Sequence, residues 1–197
     1  MPGCKTLRLV QEQDIPAILE IYRPYVQETN ISFEYEVPSL EEFSQRVRSI
    51  AADYPYLICE EAGTILAYAY AHRQMERAAY QWNAELSVYV DRAHRRQGLG
   101  RALYQALMEL LPLQNVRTVY GIVTSPNPGS EGLHQSFGFH QAGLHHNTGY
   151  KGGTWLDTIW FEKQIGDYDP SPAPLRSIRE VDSAAIEAVL RRCSEAL

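Results

Sequence analysis

Apolar residues recur along this chain in two rhythms, period two for strands and three-to-four for helices. Residues 7–10 alternate as a short first strand. Asp14 then stands where a helix cap is needed, with Pro16 in the first turn and Ile15, Ile18, Leu19 and Tyr22 on one apolar face. Residues 30–35 read as a loop carrying bulky aromatics. Ser39 to Glu42 is a capping box opening a second helix with the stripe Leu40, Phe43, Val47 and Ile50. Residues 56–60 and 64–71 predict a hairpin turning at Ala62-Gly63, and residues 85–90 a further β-branched and aromatic strand. Residues 98–111 predict a helix with a broad apolar face from Leu99 to Leu110, stopped by Pro112. A strand over 116–123, a short helix over 130–137 and a last strand over 158–163 follow, with His145, His146 and Tyr150 in the loop before that last strand.

Past residue 166 the pattern changes. Residues 167–174 hold three prolines and predict a linker, and residues 183–197 predict an amphipathic helix through Ala184, Ile186, Val189, Leu190 and Cys193. The expected organisation is therefore one mixed α/β domain over 1–166 and a proline-rich linker with a C-terminal helix over 167–197. A packed helix is expected there, ahead of a docking or dimer-contact element.

Composition narrows the class. The chain has 197 residues, 45% hydrophobic and 21% charged, enough for one α/β core. A net charge of −6 argues against broad nucleic-acid or anionic-membrane binding. Cys4, Cys59 and Cys193 are scattered, without metal-ligand spacing or a disulfide framework, as in a reducing compartment. Cys4 has no apolar stretch before it for a lipoprotein signal. No run nears the roughly 18 apolar residues of a membrane span, so a cytoplasmic location is expected.

The chemistry begins at Arg95-Arg96-Gln97-Gly98-Leu99-Gly100. A strand delivers the chain to a glycine-containing turn, and a helix starts there. Open N–H groups and the positive helix end then face any ligand above the loop, with Arg95, Arg96 and Arg101 adding charge. A pyrophosphate is the natural guest. No Gly-x-x-x-x-Gly-Lys-Ser/Thr is present, and the spacing differs from a dinucleotide fingerprint.

This arrangement resembles the cofactor motif of the GNAT superfamily of N-acetyltransferases, Arg/Gln-x-x-Gly-x-Gly/Ala. Asn127, followed by a helical stretch ending in Phe137-Gly138-Phe139, resembles that superfamily's second element. More closely, Ile31-Ser32-Phe33, Arg77-Ala78-Ala79-Tyr80, Ala84 to Val90, Leu133-His134 and Gly149-Tyr150-Lys151 leading to Trp155-Leu156-Asp157 resemble the phosphinothricin and methionine-sulfoximine acetyltransferases over about residues 5–165. The resemblance implies the GNAT acyl-CoA N-acyltransferase fold: α/β of the α+β type, a mixed, mostly antiparallel central sheet flanked by helices, here with a C-terminal helical tail. It implies acetyl-CoA as co-substrate, no metal, a small-molecule amine acceptor and a homodimer.

The same resemblance assigns roles. Val88, Tyr89 and Val90 would pair with the pantetheine arm through main chain, and Arg95, Arg96, Gln97, Gly98, Leu99, Gly100 and Arg101 would hold the pyrophosphate. Asn127 and Ser130 join the cofactor set, Asn127 equally explained as an Asn-Pro turn with Ser130 as helix cap. Glu85 would be the general base; from the residues alone, a Glu among strand formers points to a solvated cleft on the face of Ser87 and Tyr89. His134 stands where many superfamily members carry a thiolate-protonating tyrosine; imidazole can donate near neutral pH, or sit bonded in the core. Phe33, Arg77 and Tyr80 would line the acceptor pocket, with Arg73 a further cation and Tyr150, near His145 and His146, able to close it. His145-His146 lacks a third ligand at metal spacing.

Departures from the pattern bear on the acceptor. Gly129 and Gly132 loosen the helix after Asn127, and Gly152-Gly153-Thr154 replaces bulkier turn residues. Glu76 stands beside Arg77 and could cancel its charge. Two other readings fit the scaffold: acetylation of a protein or peptide N-terminus, and a non-catalytic acyl-CoA-binding module.

Overall fold

A computed structural model describes residues 4–197. The sheet has seven strands: β1 (Lys5–Leu9), β2 (Tyr56–Glu61), β3 (Thr64–Arg73), β4 (Asn83–Val90), β5 (Thr118–Ser125), β6 (His140–Lys151) and β7 (Thr154–Gln164). Their order across the sheet is β1-β2-β3-β4-β5-β7-β6. Every neighbouring pair is antiparallel except β4 and β5, which run parallel. The helices are α1 (Ile15–Glu28), α2 (Leu40–Asp53), α3 (Leu99–Leu110), α4 (Pro128–Ser136) and α5 (Ser183–Glu195). The mixed, mostly antiparallel sheet flanked by helices is the expected architecture.

Alternation along each strand splits the core in two. Ala67, Ala69, Ala84 and Leu86 face Leu103, Leu107 and Leu110 of α3, and α5 adds Ile186, Val189 and Leu190 to that cluster. On the other sheet face Tyr56, Tyr68 and Tyr89 pack with Ile18, Tyr22 and Val26 of α1 and Phe43 and Val47 of α2. The second cluster is unusually aromatic: Tyr56 and Tyr70 stack at 4.9 Å, and Tyr68 and Tyr89 at 5.1 Å. Tail residues thus share the main core, and the Leu7 N–H donates to Ser194 Oγ at 2.8 Å, tying β1 to α5.

Several local expectations change. Asp14 does not cap α1 with its side chain. Its carboxylate accepts instead from the Gln11 N–H at 2.7 Å and from Arg8 at 2.6 Å. Burial alone would raise the Asp14 carboxyl, but the bonds from Arg8 and the Gln11 N–H, with the Arg8 charge, together hold it below the usual range. The cap of α4 is Asn127, whose Oδ1 accepts from the Ser130 N–H at 3.2 Å; Ser130 lies inside the helix. The segment expected as loop before the last strand is β6. It is an edge strand, exposed over most of its length, and without a buried face it shows no apolar alternation to read.

Candidate active site

The parallel pairing of β4 and β5 covers Asn83–Glu85 against Thr118–Tyr120 and then stops, although both strands continue. Beyond Glu85 they diverge and leave a cleft. Leu86, Ser87, Val88 and Tyr89 form one wall, Ile122, Val123 and Thr124 the other, with Tyr104 of α3 and Asn127, Ser130 and His134 around α4. A larger cavity of about 380 Å³ lies elsewhere, between β1, α2 and the tail, and holds none of the site residues expected from sequence.

Main-chain direction in β4 decides what this cleft offers. The Asp91 N–H donates to Leu66 O, towards β3. Tyr89 and Ser87, two and four residues earlier, therefore point their main-chain groups the same way, and Leu86, Val88 and Val90 point theirs into the cleft. Leu86 O lies 3.4 Å from the Tyr104 hydroxyl. At Val90 the Tyr25 hydroxyl donates to the carbonyl at 2.6 Å and accepts from the N–H at 3.2 Å. That leaves Val88 N–H and C=O facing the opening where no strand pairs with them. Of the three residues expected to act through main chain, Val88 is the one the geometry singles out.

The strand leads into the expected phosphate loop. Gly98 has φ +81°, a left-handed conformation that a side chain would strain, and α3 starts directly after it with no side-chain cap. The first N–H groups of a twelve-residue helix are thus available to an anion. Gly100 is less constrained: a Cβ there would sit in ordinary van der Waals contact, 3.7 and 3.8 Å from the Val88 and Val90 side chains. The basic residues are less free than their sequence suggests. The Arg95 guanidinium lies over the Tyr25 ring at 5.2 Å, and that of Arg101 over Phe137 at 4.8 Å with a bond to Ser136 Oγ. Gln97 Oε1 accepts from Lys5 Nζ, and Arg96, at φ +60°, is exposed.

Glu85 stands where the two strands part, its side chain 20% exposed and 3.9 Å from His72 Nε2 across the β3–β4 ladder. Burial pushes its carboxyl above the ordinary glutamate range, with His72 opposing in part. His134 is 2% exposed, stacked on Phe161 at 4.9 Å. Its Nδ1 lies 2.8 Å from Ser130 O, so the proton belongs there, and Nε2 then accepts from the Tyr104 hydroxyl at 3.2 Å. Burial lowers the His134 pKa, the Ser130 carbonyl opposing. In this tautomer the ring has no proton free for the cleft. Gly121 of β5 makes room for it, since a Cβ there would fall 2.0 Å from His134 Nε2.

The acceptor candidates fall into two groups. Arg73 ends β3 and bonds Glu76 O, while Arg77 and Tyr80 bracket a short 3-10 turn leading into β4. Among the described residues no ion pair joins Glu76 to Arg77. Phe33 packs against Gly149 of β6, where a Cβ would lie 2.4 Å from its ring. Tyr150 is exposed against Trp155, and its carbonyl accepts from the Tyr35 hydroxyl. The loop carrying Phe33 is fastened by buried Lys151, whose ammonium donates to Val26 O at 2.8 Å and Ser32 O at 2.6 Å.

Tyr25, Tyr104 and Lys151 escaped the sequence reading as site residues. Tyr104 sits in the apolar stripe of α3 and reads as core. Only a lysine among otherwise resembling residues, Gly149-Tyr150-Lys151, offered a signal for the third. Among the described residues no cluster of His, Cys, Asp and Glu could hold a metal, and no helix is long and apolar enough to cross a membrane.

Residues 7–160 match the acetyltransferase (GNAT) domain family. The chain belongs to the GNAT acetyltransferases. Within that family it is 36% identical to a phosphinothricin N-acetyltransferase of Alcaligenes faecalis, over 83% of this chain and 84% of the relative. It is 31% identical to an L-methionine sulfoximine/L-methionine sulfone acetyltransferase of Pseudomonas aeruginosa, over 81% of this chain and 94% of that one. The crystal structure of a phosphinothricin acetyltransferase from Sinorhizobium meliloti in complex with acetyl-CoA superposes with a TM-score of 0.82 at 31% identity, covering 91% of this chain and 96% of the other.

Proposed function

We propose that this protein transfers the acetyl group of acetyl-CoA to the primary amine of a small amino-acid-like acceptor of the methionine sulfone, methionine sulfoximine or phosphinothricin type. The observation that carries the reading is the make-up of β4. One strand presents a desolvated carboxylate at Glu85 and an unpaired main-chain donor and acceptor at Val88. It then leads into the uncapped start of α3.

The residues present suit acetyl-CoA. The first N–H groups of α3 and the exposed Arg96 meet the pyrophosphate, and the Val88 C=O accepts from an amide N–H of pantetheine. Bound there, acetyl-CoA supplies an activated thioester carbonyl. The Val88 N–H is the pre-aimed donor for the negative charge that develops on that carbonyl oxygen. Glu85 takes a proton from the incoming ammonium, directly or through water, so that nitrogen can form the new C–N bond as the C–S bond breaks. A raised carboxyl pKa makes Glu85 a stronger base than a solvated glutamate.

The departing thiolate needs a proton. The imidazolium of His134, the minor form at neutral pH because burial lowers its pKa, would have an acceptor at each nitrogen, Ser130 O and the Tyr104 oxygen, with the Tyr104 hydrogen turned to Leu86 O. We assign His134 as the source of that proton and Tyr104 as the hydroxyl that hands it on. Phe33, Arg77, Tyr80 and Tyr150 are assigned to the acceptor, with Arg77 paired to its carboxylate.

Initial-rate release of free thiol from acetyl-CoA, with methionine sulfone, methionine sulfoximine and phosphinothricin as separate acceptors, tests the reading. Acceptor-dependent release with at least one of them supports it. Binding of acetyl-CoA without release for any of the three would overturn the acceptor class.

A further inference from the structure

The loop over residues 74–82, which carries Arg77 and Tyr80, has few partners outside itself. Its internal bonds are those of one short turn: the Tyr80 N–H to Arg77 O and the Gln81 N–H to Ala78 O. Its main chain meets the rest of the fold at Glu76 O, which accepts from the Arg73 side chain at 3.3 Å, and at Trp82 O, which accepts from the N–H groups of Arg117 and Thr118. Its side-chain anchors go to a different place. The Trp82 indole N–H donates to Ala173 O at 2.8 Å, and Gln81 Oε1 accepts from the Leu175 N–H at 3.0 Å.

Ala173 and Leu175 belong to the proline-rich strap between β7 and α5, which no site residue explains. The strap is itself held along its length. Thr118 Oγ1 meets the Tyr168 hydroxyl at 2.8 Å, and Asn115 Nδ2 donates to Pro174 O at 2.8 Å. Gln114 Nε2 donates to Arg176 O, and its main-chain O accepts from the Arg176 N–H. Immediately beyond, Ile178 and Val181 are buried in the main core. A segment with three prolines is extended and stiff, and here both its ends are fixed.

We propose that strap residues 173–175 brace the acceptor loop, making Gln81 and Trp82 positioning residues that fix Arg77 and Tyr80 relative to Glu85. The inference rests on the acceptor reading above. The bracing bonds, at Gln81 and Trp82, sit one and two residues after Tyr80 and immediately precede β4, so they act on the loop where it enters that strand. They lie away from the cleft residues that meet acetyl-CoA, which separates their effect on the two substrates.

The test uses the full chain with Trp82→Phe, Gln81→Leu and Gln81→Glu, the last keeping an oxygen for the Leu175 N–H. Each lost bond is expected to raise the acceptor KM about two- to tenfold, with the KM for acetyl-CoA unchanged, and Gln81→Glu should recover most of the Gln81→Leu defect. Amide hydrogen exchange supplies a readout independent of turnover: residues 74–82 should exchange faster in Trp82→Phe and Gln81→Leu, and residues 86–90 as in the parent. Equal effects on both substrates, or unchanged exchange in 74–82, would overturn the brace. If the parent protein acetylates none of the three acceptors, the substrate reading fails; faster exchange confined to 74–82 would still support the brace.

Discussion

Glu85 costs the fold something at neutral pH. Its folded pKa is raised, so the favourable neutral form is fully present below the unfolded value of about 4.3 and is lost as the pH rises through the folded value. Glu85→Gln should therefore melt higher than the parent at pH 7, the gap closing below about pH 4, as thermal unfolding across that range will show. His134 behaves in the opposite sense. Its depressed folded pKa gives stability that is complete above the unfolded value of about 6.5 and is lost as the pH falls through the folded value. A His134→Gln variant should lack that acid-side slope in denaturant titrations. At Gly121, the 2.0 Å approach of a Cβ to His134 Nε2 leaves no space for alanine. Gly121→Ala is expected to displace the ring and cost about 1–3 kcal/mol, measured by urea unfolding. If Tyr104 hands on the His134 proton, Tyr104→Phe and His134→Gln should each lower kcat, and the double variant should be little worse than either. Additive losses would separate the two residues.

At the scale of elements, the site is two strands that stop pairing and a loop fastened across them. Lys151 holds the Phe33 loop through two carbonyls, and burial lowers its pKa against the opposing pull of Glu34. Lys151→Met leaves those carbonyls without their donor and should raise the acceptor KM more than the acetyl-CoA KM in steady-state rates. Helices α1, α2 and α3 were legible because each buries one stripe, and β2, β3 and β4 because each meets a core face. The turn before α3 was legible because glycines and arginines punctuate a strand–helix junction. Strand β6 was not, since a solvated edge has no apolar period. The divergence of β4 from β5 and the Tyr25 bonds to Val90 were also hidden: both depend on contacts between residues far apart in the chain. Glu85 stood out for a local reason, a charged side chain within a run of strand formers.

Across the whole molecule, the tail and the central sheet share one core. Ile186, Val189 and Leu190 of α5 complete the core beneath β1 and α3, and Ser194 bonds β1. Leu190→Ala should cost about 2–5 kcal/mol of unfolding free energy. The same architecture puts the Glu85 carboxylate, the unpaired Val88 groups and the uncapped start of α3 along one continuous stretch of chain. Acetyl transfer assisted by Glu85 is the central proposal, and the pH dependence of kcat/KM for methionine sulfone with saturating acetyl-CoA tests it most directly. The parent should lose activity on the acid side through a carboxyl titrating above the ordinary value of about 4.3, and Glu85→Gln should fall about 10²- to 10⁴-fold and lack that limb. A Glu85→Gln profile that matches the parent in height and shape would contradict the account.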